Sequence, residues 1–184
     1  MGLGNPGLQY EQTRHNVGFW LIRSLAQENS GNFKSESKFQ GLVSRISLSG
    51  HRCELFLPAT FMNLSGEAVR KIVQFYKLAA RSILVVYDEL DFSPGVIRLK
   101  QGGGVNGHNG VQSIIDNLDD GDFWRMRIGI GKPKFKDDTS NYVLSSPNKL
   151  EQVQIESAVD RGLIVIPDLV LGDFSQAMLG LHTI

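Results

Sequence analysis

One histidine near the start of the chain has the surroundings of a reactive group. His15 lies in the run MGLGNPGLQYEQTRHNVG, which opens with a turn rich in glycine and proline and ends where helical apolar spacing begins. Asn16 is in position to cap the helix that follows. A histidine at a helix start is more often an ordinary polar or capping residue. A catalytic role for His15 therefore requires a chemical partner elsewhere in the chain.

The best candidate for that partner is the carboxylate of Asp88. Residues 83–87 form a short, unbroken apolar run, which predicts a strand buried on both faces, and Asp88 follows it directly. Open α/β sheets bind ligands at the carboxyl ends of their strands, although Asp is also a common turn residue there. A histidine held by a carboxylate suits a general base that activates water, so the pair predicts hydrolysis without a covalent intermediate.

Amide side chains and glycines provide the remaining polar groups of a possible site. Glycine-rich residues 102–110 precede a helical pattern, and such a loop can place backbone N–H groups and a helix start against an anion. A flexible loop is the plainer interpretation, in which His108 and Asn109 only cap the helix. Asparagines that could orient a polar substrate recur in the predicted loops, at Asn5, Asn16, Asn63, Asn106 and Asn109.

Several familiar chemistries lack their motifs in this chain. It contains no G-x-S-x-G elbow, P-loop, H-E-x-x-H or CxxC pair, so an activated serine, NTP hydrolysis and a zinc site have no sequence support. Gly2-x-Gly4-x-x-Gly7 matches a dinucleotide fingerprint, but almost no chain precedes it and Pro6 delays the helix. A non-catalytic nucleotide-binding or RNA-binding α/β protein is the alternative, and it would not need His15 paired with Asp88.

The composition is that of an ordinary soluble protein. With 184 residues we expect one domain over positions 1–184, and without an apolar run long enough for a membrane or a signal peptide we expect a cytoplasmic location. The 19 Lys and Arg residues balance the 19 Asp and Glu residues, so binding to nucleic acid would need a local basic patch. Candidates for that patch are Arg98, Lys100, Arg125, Arg127 and the stretch 131–136.

The elements that must position these residues alternate between strand and helix. The first predicted helix ends near residue 28. Apolar and polar residues then alternate over 39–48 and 52–57, on either side of Ser49-Gly50, which predicts a β-hairpin. Further strands are predicted at 96–100 and 123–130, and the end of the chain reads as a helix over 149–162, an apolar run over 163–171 and a last short helix. The order predicts an α/β fold: a mixed, twisted β-sheet with helices on both faces.

Six segments together resemble one known family. The segments GLGNPG, TRHNVG, PATFMNLSG, YDELD, GGGxxGHNG and RMRIGIG occur in this order, and the chain over roughly residues 1–131 is similar to bacterial peptidyl-tRNA hydrolase. The resemblance implies an enzyme of translation that cleaves the ester between a peptide and the terminal ribose of tRNA and so recycles the tRNA. It also implies a monomer that binds tRNA and needs neither a metal nor a cofactor.

The resemblance also implies roles for individual residues. His15 would be the base and Asp88 would hold it in its basic form, while Asn5 would help to distinguish blocked from free amino termini. The other residues implied to contact the substrate are Tyr10, Phe61, Asn63 and Asn109, with Met62, His108 and Arg127 as secondary candidates.

Two departures from the family pattern bear on the structure. Val105-Asn106 replaces a pair whose second member is usually glycine, and we expect the loop to survive because Asn tolerates a left-handed backbone. The family also usually has several apolar residues before GLGNPG that form a central strand. We therefore expect this chain to start within that strand.

Overall fold

The computed structural model describes residues 1–182, including the backbone but not the side chain of Lys136. In this part of the chain the helices are α1 Val17–Glu28, α2 Ser65–Tyr76, α3 Asn109–Leu118, α4 Thr139–Val143, α5 Lys149–Leu171 and α6 Phe174–His182. The strands are β1 Lys34–Glu36, β2 Gly41–Leu48, β3 His51–Pro58, β4 Leu84–Glu89, β5 Ile97–Gln101 and β6 Trp124–Gly129. No described helix is long and apolar enough to cross a membrane.

The strands form two three-stranded sheets. β1, β2 and β3 make an antiparallel meander, in which β2 and β3 are the predicted hairpin. In the other sheet β6 lies between β4 and β5, parallel to β4 and antiparallel to β5. The predicted fold class, mixed α/β, is confirmed.

The first three residues bridge the two sheets. Gly2 N–H donates to Phe56 O on β3 at 3.1 Å, while Leu3 N–H donates to Val86 O on β4 at 2.9 Å. Helix α1 packs closely on this bridge, because a Cβ atom on Gly18 would collide with the carbonyl oxygen of Val86. The turn that follows Leu3 is thereby fixed against the end of β4.

Strand β4 is buried on both faces, as its apolar run predicts. Val86 packs in a core with α1 and α5, whereas Val85 and Tyr87 pack on the opposite side with α2 and α3. Two cores thus hold β4 in place, and its carboxyl end supplies Asp88. The carboxyl end of β4 therefore lies in the region where the sequence predicts the reactive residues.

Candidate active site

The N-terminal turn, the end of β4 and the glycine-rich loop surround a cleft of about 570 Å³. Of the site residues that the family resemblance implies, all except Arg127, which lies on β6, line this cleft; the further candidate Asn106 lines it too, whereas Asn16 does not. The lining residues that were predicted are Asn5, Tyr10, His15, Phe61, Met62, Asn63, Asp88, His108 and Asn109. The fold therefore gathers residues from four separate stretches of the chain into one cavity.

His15 and Asp88 are in direct contact. His15 lies in the 3₁₀ turn Arg14–Asn16 that precedes α1, and its Nδ1 is 2.9 Å from each carboxylate oxygen of Asp88. Because a carboxylate only accepts, Nδ1 of His15 carries the proton and donates it to Asp88. This tautomer leaves the lone pair on Nε2, the nitrogen that a general base needs.

A second imidazole contacts the same carboxylate. Nε2 of His108 is 3.1 Å from Oδ1 of Asp88, and Nδ1 of His108 accepts from Val111 N–H at 3.3 Å. The Val111 bond fixes the tautomer, so Nε2 of His108 is the protonated nitrogen and donates to Asp88. His108 therefore caps α3, as the plainer interpretation predicts, and also donates to the carboxylate of Asp88.

The three side chains are close enough to hold a metal ion, since their ligand atoms lie within 4.8 Å of one another. The hydrogen bonds nevertheless oppose such a site. Nε2 of His108 could bind a metal only as an unprotonated nitrogen, and its proton would then have to move to Nδ1, where it would break the cap of α3. The three side chains are therefore arranged for hydrogen bonding to one another.

Electrostatics supports an ionised Asp88 beside a basic His15. Burial alone would raise the pKa of Asp88, but the two imidazoles, through their charge and hydrogen bonds, hold that pKa well below its usual value. Burial disfavours the charged form of His15, yet the charge and hydrogen bond of Asp88 outweigh it and raise the pKa of His15. The carboxylate therefore increases the basicity of the imidazole.

Asn5 is fixed by a second asparagine. The side chain of Asn16 accepts from Asn5 N–H at 2.8 Å and donates to Asn5 O at 2.9 Å. Asn16 is the N-cap residue of α1, as predicted, but its side chain makes no capping hydrogen bond. The oxygen of the Asn5 side chain accepts from Met62 N–H at 2.8 Å, which leaves its Nδ2 group as a donor.

Other parts of the site were not predicted. Helix α4 forms one wall of the cleft, with Thr139, Ser140 and Val143, and it lies beyond the segments that resemble the family. Arg14, which is 6% exposed, ties the turn that carries His15 to the start of α5 through a 2.6 Å ion pair with Glu151. Its position next to His15 was the only signal in the sequence.

A second cavity of similar size lies elsewhere. It has a volume of about 570 Å³, its surface is mainly apolar, and Met1, Cys53 and Trp124 are among its lining residues. None of the predicted site residues reaches it. The polar cleft around His15 is therefore the better candidate for an active site.

The structure is a mixed α/β domain whose polar cleft holds a buried His–Asp pair, and comparison with known proteins defines the family. The sequence profile of the peptidyl-tRNA hydrolase family matches residues 1–183. A peptidyl-tRNA hydrolase from Methylobacillus flagellatus is 50% identical over 184 residues, which is 100% of this chain and 95% of that protein. One from Legionella pneumophila is 49% identical over 178 residues, 97% of this chain and 94% of the relative.

Solved structures point to the same family as the sequence relatives. The crystal structure of peptidyl-tRNA hydrolase from Acinetobacter baumannii superposes with a TM-score of 0.95 at 44% identity and covers 98% of this chain and 91% of the other. The chain belongs to the peptidyl-tRNA hydrolase family. The predicted family and enzyme class are thereby confirmed, and the alternative of a non-catalytic binder is not favoured.

Proposed function

We propose that the cleft hydrolyses the ester bond of peptidyl-tRNA with His15 as the general base. Family membership supports the reaction, and the observation that carries the mechanism is the bond between Nδ1 of His15 and Asp88, at 2.9 Å to both oxygens. Asp88 keeps the proton on Nδ1, so Nε2 is free to take a proton from water.

The reaction then needs only water and groups of the protein. Water attacks the ester carbonyl while Nε2 of His15 accepts its proton. When the bond to the ribose oxygen breaks, the imidazolium returns this proton to the departing ribose oxygen. The products are a peptide with a free carboxyl group and a tRNA with a free 3′ end, and the enzyme is unchanged without a metal or a cofactor.

Asn5 is suited to select peptidyl-tRNA over aminoacyl-tRNA with a free amino group. Its side-chain oxygen is engaged by Met62 N–H, so the group it offers to a ligand is the Nδ2 donor. A peptide carbonyl can accept from this donor, whereas the ammonium group of an aminoacyl-tRNA offers only donors. Phe61, which is 55% exposed at the cleft, adds apolar surface for a side chain or base of the substrate.

The remaining predicted contacts follow from the lining of the cleft. Tyr10, Asn63 and Asn109 provide hydroxyl and amide groups. Met62 and His108 line the same cleft, and Arg127 lies on β6, the strand next to β4. The enzyme of this proposal acts as a monomer formed by a single domain over residues 1–184. We place it in the cytoplasm, where translation supplies the substrate.

The test is release of free tRNA from N-acetyl-aminoacyl-tRNA by wild type and by His15→Ala. Loss of a general base costs about 10²–10⁴-fold in rate, so kcat should fall by that factor while tRNA binding remains. His51→Ala, on the distant β2–β3 hairpin, is the matched control and should retain full activity. Activity of His15→Ala within a few-fold of wild type would exclude His15 as the base.

A further inference from the structure

The glycine-rich loop carries two groups of the site but has few side chains to fix it. Gly102, Gly103 and Gly107 all have positive φ, so the backbone path is one that other residues rarely adopt. The first half of the loop is held by Gly102 N–H, which donates to Phe123 O at 3.0 Å, and by Arg125, which donates to Gly104 O at 2.9 Å. In the second half His108 donates to Asp88 at 3.1 Å, and the turn that precedes His108 needs an attachment of its own.

That second half is a tight turn. His108 N–H donates to Val105 O at 2.9 Å, which closes a β-turn over residues 105–108. Its two central residues, Asn106 and Gly107, have φ of 48° and 76°. Positive φ at both central positions is the signature of a type I′ turn, for which Asn-Gly is the preferred pair. The turn is a compact unit, so an attachment at Asn106 also restrains His108, in addition to the bonds of His108 to Asp88 and Val111.

Asn106 is attached to the strand that carries Asp88. Its Nδ2 group donates to Oε2 of Glu89 at 3.3 Å, and Glu89 is 3% exposed at the end of β4. The carboxylate is itself held in place, since its Oε1 accepts from Asp91 N–H at 3.2 Å and its Oε2 lies 3.5 Å from Nη1 of Arg127. The acceptor is therefore a buried, oriented group next to the candidate catalytic carboxylate.

We propose that Asn106 is a positioning residue, which latches the glycine-rich loop to Glu89 and so sets the place of His108 and Asn109 in the cleft. Asn supplies both properties that this position requires, because it tolerates the left-handed backbone and its amide reaches Glu89. Glycine would meet only the first requirement. The kinetic part of this inference depends on the proposed function, whereas the latch itself does not.

The test is Asn106→Gly, which keeps the turn and removes the latch. The bond is long at 3.3 Å, so its loss should raise KM about 3- to 10-fold, the range of an ordinary hydrogen bond, with kcat within about twofold because Asp88 still holds His15. Amide hydrogen exchange should become faster within residues 102–110 and nowhere else, with the melting temperature nearly unchanged. Asn106→Asp should raise KM further, since the new carboxylate would face Glu89 even though Arg127 offsets part of the repulsion.

Ser49→Gly is the matched control. Ser49 also has a left-handed backbone, with φ of 50°, but it lies in the β2–β3 hairpin away from the cleft. This substitution should leave KM and exchange in the loop unaltered, so it separates the loss of the latch from the added freedom of a glycine.

Two results would overturn the latch. One is unchanged exchange in residues 102–110 of Asn106→Gly. The other is faster exchange throughout the chain with an unchanged KM, which would make Asn106 a general stabilising residue. If wild type itself failed to cleave the ester, the proposed function would fail while exchange in the loop would still decide the latch.

Discussion

The two imidazoles that bind Asp88 have different tasks because their tautomers are fixed differently. His108 uses Nδ1 for Val111 N–H and Nε2 for Asp88, so no ring nitrogen remains to take a proton. The described bonds of His15 all involve Nδ1. His15 is therefore the imidazole able to act as a base, and His108 supports the carboxylate.

Asp88→Asn tests this division at the carboxylate. Burial disfavours the charged imidazole, and the Asp88 charge overcomes that effect and raises the pKa of His15. With a neutral partner only burial remains, so the pKa of His15 should fall and the acid limb of kcat against pH should move to lower pH. The rate at the plateau should drop about 10-fold or more, because Asn does not select the Nδ1–H tautomer.

A surface substitution gives the control for this experiment. Asp122→Asn removes a carboxylate that pairs with Arg81 in an exposed site and should leave the pH profile as in wild type. If the acid limb and the plateau of kcat against pH are the same in Asp88→Asn as in wild type, Asp88 serves only as a turn residue.

Among the elements, the 3₁₀ turn that carries His15 is tied to the start of α5. Nη1 of Arg14 donates to Ser145 Oγ at 2.7 Å and to three backbone carbonyls, and Nη2 pairs with Glu151 at 2.6 Å. Glu151 also closes the capping box of α5 with Asn148. The forked guanidinium thus joins the 3₁₀ turn of His15, the end of α4 and the N-terminus of α5.

Arg14→Lys should weaken this junction although it keeps the charge. An ammonium group cannot reproduce the fork, and buried acceptors left without donors cost about 1–3 kcal/mol in the free energy of unfolding. Urea unfolding measures the loss. Arg45→Lys, whose side chain is 53% exposed and pairs with Glu54, should change stability by less than about 0.5 kcal/mol. Equal losses in the two variants would contradict a special role for Arg14.

The elements that the sequence predicted are those with a clear local pattern. The hairpin, α1 and the buried strand β4 lie where turn residues and apolar spacing put them. The apolar run 163–171 instead continues α5 through Pro167, because tertiary packing outweighs the usual helix-breaking effect of proline. Helix α4 has only five residues, too few for a periodic signal.

Individual contacts in the site were predictable only where a motif carried them. The pairing of His15 with Asp88 followed from the chemistry of the two residue types and from the family pattern. Arg14 and Glu151 are 137 positions apart, and no local pattern links them. Asn16 precedes a helix just as a capping residue does, so the sequence could not reveal that its side chain holds Asn5.

At the scale of the whole molecule, acids and bases balance, so a tRNA must be bound by a local surface. Part of the predicted basic surface is already paired: Arg127 lies 3.5 Å from Glu89 and Lys132 lies 2.6 Å from Asp91. Lys134 is exposed and lies over the ring of Phe135. The predicted contribution of Lys136 falls on a side chain outside the described residues.

If this surface follows the tRNA backbone, KM should rise with salt while kcat changes little. Each phosphate contact releases counterions, so the logarithm of the apparent affinity falls linearly with the logarithm of the salt concentration, by about 0.7–0.9 per contact. Lys134→Ala should reduce that slope by somewhat less than 1. Lys34→Ala, an exposed site on β1 in the other sheet, should leave it unaltered. Measuring KM for N-acetyl-aminoacyl-tRNA between 50 and 200 mM salt, on the order of physiological ionic strength, decides the matter. A KM that does not depend on salt would mean that the basic stretch after β6 does not contact phosphates and that recognition relies on the cleft.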